Sequence, residues 1–142
     1  MKTPKDLKAL FPYQFEGTSL GVAFTRGWFP LLVQLCTDVD AALGEDKRGF
    51  HWLQVKEKFG SLRAVFRLAD GVFEREPELV RRIFALTSAA EKASETVCAA
   101  CGQSGVIDPR SGFVLALCST HHSHLVVGIP VPIWYDVEKD SL

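Results

Sequence analysis

The sequence predicts an α+β fold, in which two amphipathic helices flank a β-hairpin and a compositionally distinct hairpin module follows them. Three observations predict it. Apolar residues recur at three- and four-residue steps over 27–44 and again over 77–97. Between these stretches, residues 50–68 alternate with period two around a Gly-containing turn. Residues 98–124 then hold three of the four cysteines, with Asp108 and Arg110 as their only Asp, Glu, Lys or Arg.

The elements follow in order. Residues 4–10 read as a short helix, and Pro12, Gly17 and Gly21 punctuate an irregular or extended stretch after it. Over 27–44, Trp28, Leu31, Leu32, Leu35, Val39, Ala42 and Leu43 line one helical face. Pro30 fits the first turn and Gly44 the stop. Cys36 lies beside this stripe and reads as a small, partly buried hydrophobe. In the hairpin, His51, Leu53 and Val55 alternate with Trp52, Gln54 and Lys56. Phe59-Gly60-Ser61 turns the chain, and Leu62, Ala64, Phe66 and Leu68 face away from Arg63, Val65 and Arg67. In the second helix, 77–97, Val80, Ile83, Phe84, Thr87, Ala90, Ser94 and Val97 make a face that shrinks along its length. The helix runs into Cys98. Beyond it, Asp108-Pro109-Arg110-Ser111-Gly112 reads as a turn between Val106-Ile107 and Phe113–Leu117. The boundaries expected are an α+β domain at 1–97, the Cys-rich module at 98–124 and an apolar extended tail at 125–142.

The bulk numbers bound the function. The 142 residues suit one domain with a small appendage, and 47% hydrophobic content supplies a core. Sixteen basic residues against seventeen acidic ones give a net charge of -1. That balance does not favour a whole-protein grip on nucleic acid, and it argues against a DNA mimic. The opening MKTPKDLKALFPYQFEG has no apolar run of the kind a secretory signal needs, and no stretch reaches the length of a membrane span. A cytoplasmic location is expected. In that setting the tight cysteine spacing points to metal binding or redox chemistry rather than to a disulfide framework.

Cys98-Ala-Ala-Cys101 and Cys118-Ser-Thr-His121 bracket the segment 102–117. Structural zinc is held tetrahedrally by thiolates and imidazoles, and two such pairs closed by a hairpin complete its shell. One structural Zn2+ is therefore expected on Cys98, Cys101, Cys118 and His121, in a zinc-ribbon-like module. His122 and His124 are alternative ligands if a short helix follows Cys118. A redox pair at Cys98 and Cys101 fits less well, because thioredoxin-like motifs open a helix after a strand, whereas this one follows a helix.

The other unusual segment is Lys56-Glu57-Lys58-Phe59-Gly60-Ser61-Leu62-Arg63. With Arg67 it makes a local basic ribbon tipped by Phe59, which could contact phosphates or be a solvated hairpin face. The charge balance predicts no tight, general nucleic-acid binding there. In the tail, Trp134 and Tyr135 are interface-type residues. Pro130 and Pro132 predict an extended edge segment over 125–135 that packs on a sheet of this chain, a second copy or a partner.

These pieces resemble a group of uncharacterised bacterial and prophage-encoded proteins. Their pattern has a Leu-Phe segment (here Leu10-Phe11), Gly-Trp opening a helix (Gly27-Trp28) and Gln-x-Lys-Glu-Lys-Phe-Gly-x-Leu-Arg (Gln54 to Arg63). It ends in two Cys-x-x-Cys pairs, matched here by Cys98–Cys101 and by Cys118, with His121 where the group has cysteine. The resemblance implies a phage-linked origin and no particular activity. The reading that follows is a non-enzymatic, zinc-stabilised binding protein acting on a host protein, for example a defence complex or the transcription machinery. The alternatives are a nucleic-acid-binding zinc protein and a zinc-dependent hydrolase. A protein partner is expected ahead of nucleic acid, a membrane is not expected, and homodimerisation stays open.

Overall fold

Thr3 starts the first helix. Its hydroxyl accepts the Asp6 N–H, and the Asp6 carboxylate accepts the Thr3 N–H at 2.7 Å. With Pro4 in the first turn, this reciprocal cap fixes α1 (Pro4–Leu10). The computed structural model describes residues 2–17, 20–135 and 142. After α1 come a 3-10 turn at Pro12–Phe15, β1 (Gly21–Ala23), a 3-10 turn at Arg26–Trp28 and α2 (Phe29–Leu43). The hairpin of β2 (His51–Lys58) and β3 (Ser61–Arg67) follows, then α3 (Val72–Arg75) and α4 (Pro77–Ser94). A 3-10 turn at Pro109–Ser111 and α5 (Ser119–Val126) complete the order.

The three strands form one sheet in the order β1-β2-β3, with β1 parallel and β3 antiparallel to β2. The hairpin turns on Phe59 and Gly60, both at positive φ, 53° and 87°, as the tightest hairpin turn requires. On β3 the expected alternation is present: Leu62, Ala64 and Phe66 are buried, and Arg63, Val65 and Arg67 are exposed. On β2 it breaks. A bulge lies between Trp52 and Gln54, so Trp52 and Val55 both face inward, three residues apart. Trp52 therefore does not share the outer face with Gln54 and Lys56; the extra residue resets the pleat.

The core lies between the inner face of the sheet and helices α2 and α4. Trp28, Trp52, Phe15, Phe24, Phe50 and Ile83 fill it. Gln14 is buried among them because its amide is used in full. Its Nε2 donates to the Cys36 carbonyl at 3.0 Å, and its Oε1 accepts from Trp52 Nε1 at 3.1 Å. Cys36 is buried on the α2 stripe itself, more deeply than its place beside that stripe suggested. Phe84, expected inward on α4, sits half-exposed at the rim, tilted on Phe66 with ring centroids 4.9 Å apart.

Two C-terminal expectations are corrected. The hairpin predicted for 98–124 is reduced to isolated bridges, Val97↔Ser104 and Val106↔Leu117. Asp108 captures the Arg110 N–H at 2.9 Å and starts a 3-10 turn at Pro109, and these residues are lost to a ladder. The tail does not begin as an extended segment at 125, because Leu125 and Val126 close α5. Among the described residues, 127–135 contain no strand. The Ile129 N–H turns back to the His124 carbonyl at 2.8 Å, and the prolines beyond have no N–H to offer a ladder. The part of the tail at 136–141 lies outside the described residues.

Candidate metal centre

The first half of the site is a knuckle just beyond α4. The Cys98 N–H donates to the Gln103 carbonyl at 2.6 Å and the Gly102 N–H to the Cys98 carbonyl at 2.9 Å. Gly102 makes this turn at φ 82°, which L side chains resist. The second half is the start of α5. Cys118 is its N-cap residue, and its carbonyl accepts the His122 N–H at 2.9 Å. His121 falls in the first turn of that helix, so its ring and the Cys118 thiol point the same way.

These elements bring together Cys98, Cys101, Cys118 and His121, whose ligand atoms all lie within 4.8 Å of one another. His121 Nδ1 is 3.5 Å from Cys98 Sγ and 3.2 Å from Cys118 Sγ, and Cys101 Sγ is 3.8 Å from Cys118 Sγ. The thiols are free, the sulfur separation being far beyond a disulfide bond. The four residues could hold one metal ion. Burial works against ionising Cys98. The N–H groups of Cys118, Ala100 and Cys101 and the Cys101 thiol outweigh it, and the Cys98 pKa falls to about 7. Cys101 goes the other way, to about 11, through burial and its hydrogen bonds with Cys98 and Cys118. Cys36 stands apart in the core, where burial pushes its thiol up to about 12 and leaves it unreactive.

Of the alternative ligands, His122 turns away, its Nε2 3.6 Å from Asp108 Oδ2, and His124 lies edge-on to His121 at 5.8 Å between ring centroids. Lys56 and Arg63 are cross-strand neighbours on the outer face of the sheet, and Arg67 stands opposite His51. Lys58 reaches over the Phe59 ring at 5.9 Å, and Phe59 is 86% exposed at the hairpin tip. Trp134 and Tyr135 part company. Tyr135 lies edge-on to buried Phe24 at 5.3 Å, whereas Trp134 is 47% exposed. Arg26 clips this part of the tail to the body. Its N–H donates to the Ile133 carbonyl at 2.8 Å and its Nε to the Trp134 carbonyl at 3.0 Å.

Two glycines, in the Gly27-Trp28 and Phe59-Gly60 pairs, prove to be seats for the Cys/His segment, a role not assigned to them from sequence. The Gly27 N–H donates to the Ala99 carbonyl at 2.8 Å, and a Cβ on Gly27 would lie 1.9 Å from the Cys98 carbonyl oxygen. A Cβ on Gly60 would lie 2.1 Å from the Val114 carbonyl oxygen. The signal was there: each glycine stands beside an aromatic residue, Trp28 and Phe59, at the edge of an otherwise regular element. Glu57 completes the tip by accepting the Gly60 N–H at 2.9 Å. No protein-family model, curated protein or solved structure matches the chain.

Proposed function

We propose that the chain is a non-enzymatic binding protein whose C-terminal module is folded around one structural zinc ion. The spacing of the ligand atoms carries this reading. Tetrahedral zinc with bonds of about 2.3 Å to sulfur and about 2.0 Å to nitrogen spaces its sulfurs about 3.8 Å apart and sulfur from nitrogen about 3.5 Å apart. The separations here are 3.8 Å for the sulfur pair and 3.5 and 3.2 Å for sulfur to nitrogen. Soft thiolates also select against calcium and magnesium, which take oxygen ligands. Three cysteines and one histidine fill a tetrahedral shell and leave no position for a reacting water, which supports a structural rather than a hydrolytic role. The experiment is elemental analysis of protein purified without added metal. One zinc per chain, removed together with the module's fold by a chelator, is expected; freely titratable thiols in metal-free, folded protein would sink the reading.

A further inference from the structure

We propose that the outer face of the three-stranded sheet binds single-stranded nucleic acid, with Lys56, Lys58, Arg63 and Arg67 meeting phosphates and Phe59 stacking on a base. This names the partner class of the binding protein proposed above, and rests on that reading only in treating the chain as a binder; none of the five residues belongs to the metal site.

The net charge of -1 hides a segregation. The cross-strand register sets Lys56 beside Arg63 and Lys58 beside Ser61, with Gln54 and Val65 next along the same face. Lys56 and Arg63 therefore stand roughly 5 Å apart across the strands and Lys56 and Lys58 ~7 Å apart along β2, while Arg67, opposite His51, lies about 13 Å from Arg63 along β3. Among the described residues, none of the four makes an ion pair. The acidic side chains at the margins are engaged or lie at the far end. Glu57 accepts the Gly60 N–H and Glu91 the Ala64 N–H, while Glu16 borders the end of the face nearest Arg67 and His51. Lys56, Lys58 and Arg63, unpaired and within about one Debye length of one another, with Arg67 about 13 Å further along β3, make a local field that the chain's total does not report.

Phe59 gives the second, independent observation. It occupies a turn position at φ 53° with its ring 86% exposed. Asn or Gly is favoured there, and a bulky residue in that conformation is strained with no packing to offset it. An exposed ring held beside cations is the arrangement by which single strands are bound without sequence preference. Beside it runs a groove of about 420 Å³ between β3 and α4, lined among others by Lys58, Ser61, Arg63, Thr87 and Ser88. A base extending from the sheet face meets hydroxyls there. A base still paired in a duplex reaches neither the ring nor the groove, which favours the single strand.

The test is fluorescence anisotropy with a labelled oligothymidine of about 16 nucleotides, a duplex of the same length and a polyglutamate peptide, across a salt series. Micromolar binding of the single strand is expected at about 50 mM salt, with log affinity falling against log salt at a slope of about −3, as four single-strand phosphate contacts give. Lys56→Gln with Arg63→Gln should cut that slope by about half and affinity at least tenfold. Phe59→Asn should weaken binding about tenfold while leaving the melting temperature equal or higher, since Asn suits the turn. No binding of the single strand, equal binding of the duplex, or equal binding of polyglutamate overturns the proposal. So does a Phe59→Asn protein that binds as well as the parent. Zinc measured on the same samples keeps the two readings apart: metal-free protein that binds the single strand as described sinks the zinc reading and supports this one.

Discussion

The body up to α4 and the module from Cys98 onward hold their shapes by different means. The body buries two tryptophans, five phenylalanines and a mostly apolar stripe from each long helix. Its folding free energy comes from apolar surface removed from water. Among the described residues, the module has two isolated bridges and α5, a helix with no buried residue. Its buried apolar side chains besides Cys98 are Ala99, Leu115, Ala116, Leu117 and, in the tail, Ile133; all but Ala116 pack into the body's core, and they do not make one of their own. A piece that small normally needs a metal or a disulfide, and free thiols at metal spacing fit the first. One region is thus specified by periodicity, the other by ligand spacing and by the two glycine seats that fit it to its neighbour.

The largest way to break this comparison is to remove a ligand. Cys118→Ser should lose the metal and, with it, slow amide exchange in 98–126, because metal-binding free energy of about 10 kcal/mol or more is folding free energy in such sites. The amides of β2 and β3 should still exchange slowly, since Trp52, Val55, Leu62 and Phe66 keep their apolar neighbours. Hydrogen exchange read by mass spectrometry checks both halves. Uniform protection after metal loss would mean that the module is held by packing after all.

Next comes the seat. Gly27→Ala places a methyl group 1.9 Å from the Cys98 carbonyl oxygen and 2.7 Å from the Ala99 carbonyl carbon, both backbone atoms. The knuckle must shift or separate from the body. A loss of about 3 kcal/mol in urea denaturation is expected, with weaker metal retention against a competing chelator. Gly44→Ala is the control: its φ of 72° and ψ of -147° suit glycine alone and open space surrounds it, so only backbone strain of about 1–3 kcal/mol applies, and the metal stays, so that retention against the chelator separates the two variants. Equal effects at the two glycines would remove the argument for a seat.

This pairing shows what was legible in the sequence. Helix periodicity placed α2 and α4, because burial on one face repeats in register with the backbone. The ligand spacing placed the four metal-type residues, because a three-residue step fits one turn. The β2 bulge was not legible, since alternation of His51, Leu53 and Val55 reads as unbroken until the register with β3 is known. Nor were the seats at Gly27 and Gly60, which depend on backbones far apart in sequence. The tail misled because composition reports burial and not conformation: Ile133 is buried, yet no strand carries it there.

The tail gives a smaller test. Ile133 is 8% exposed and its carbonyl accepts the Arg26 N–H, whereas its neighbour Trp134 is 47% exposed. Ile133→Ala should cost about 2 kcal/mol, at the low end for a buried aliphatic at an element's margin. Trp134→Ala should stay within about 0.5 kcal/mol. If Trp134→Ala instead dissociates a dimer seen by light scattering, the tail serves an interface as well as the core.

The smallest expected effect sharpens the assignment of ligands among three histidines that stand within four positions of one another. His122 contacts Asp108 at 3.6 Å, but Asp108 is already held by Arg110, whose Nε is 3.2 Å away and whose side chain is 89% exposed. Such a partly solvated pair contributes roughly 0–1 kcal/mol. His122→Ala should therefore keep one metal per chain and shift stability by less than about 0.5 kcal/mol. His121→Ala should lower metal affinity at least tenfold, because a tetrahedral shell loses a ligand that no described neighbour replaces at the same distance. His121→Cys should keep the metal, since a thiolate at that position restores a four-ligand set. Chelator competition on the three variants decides it: if His122→Ala releases the metal while His121→Ala retains it, the ligand assignment moves one residue along α5 and the face of that helix turned to the module is misassigned.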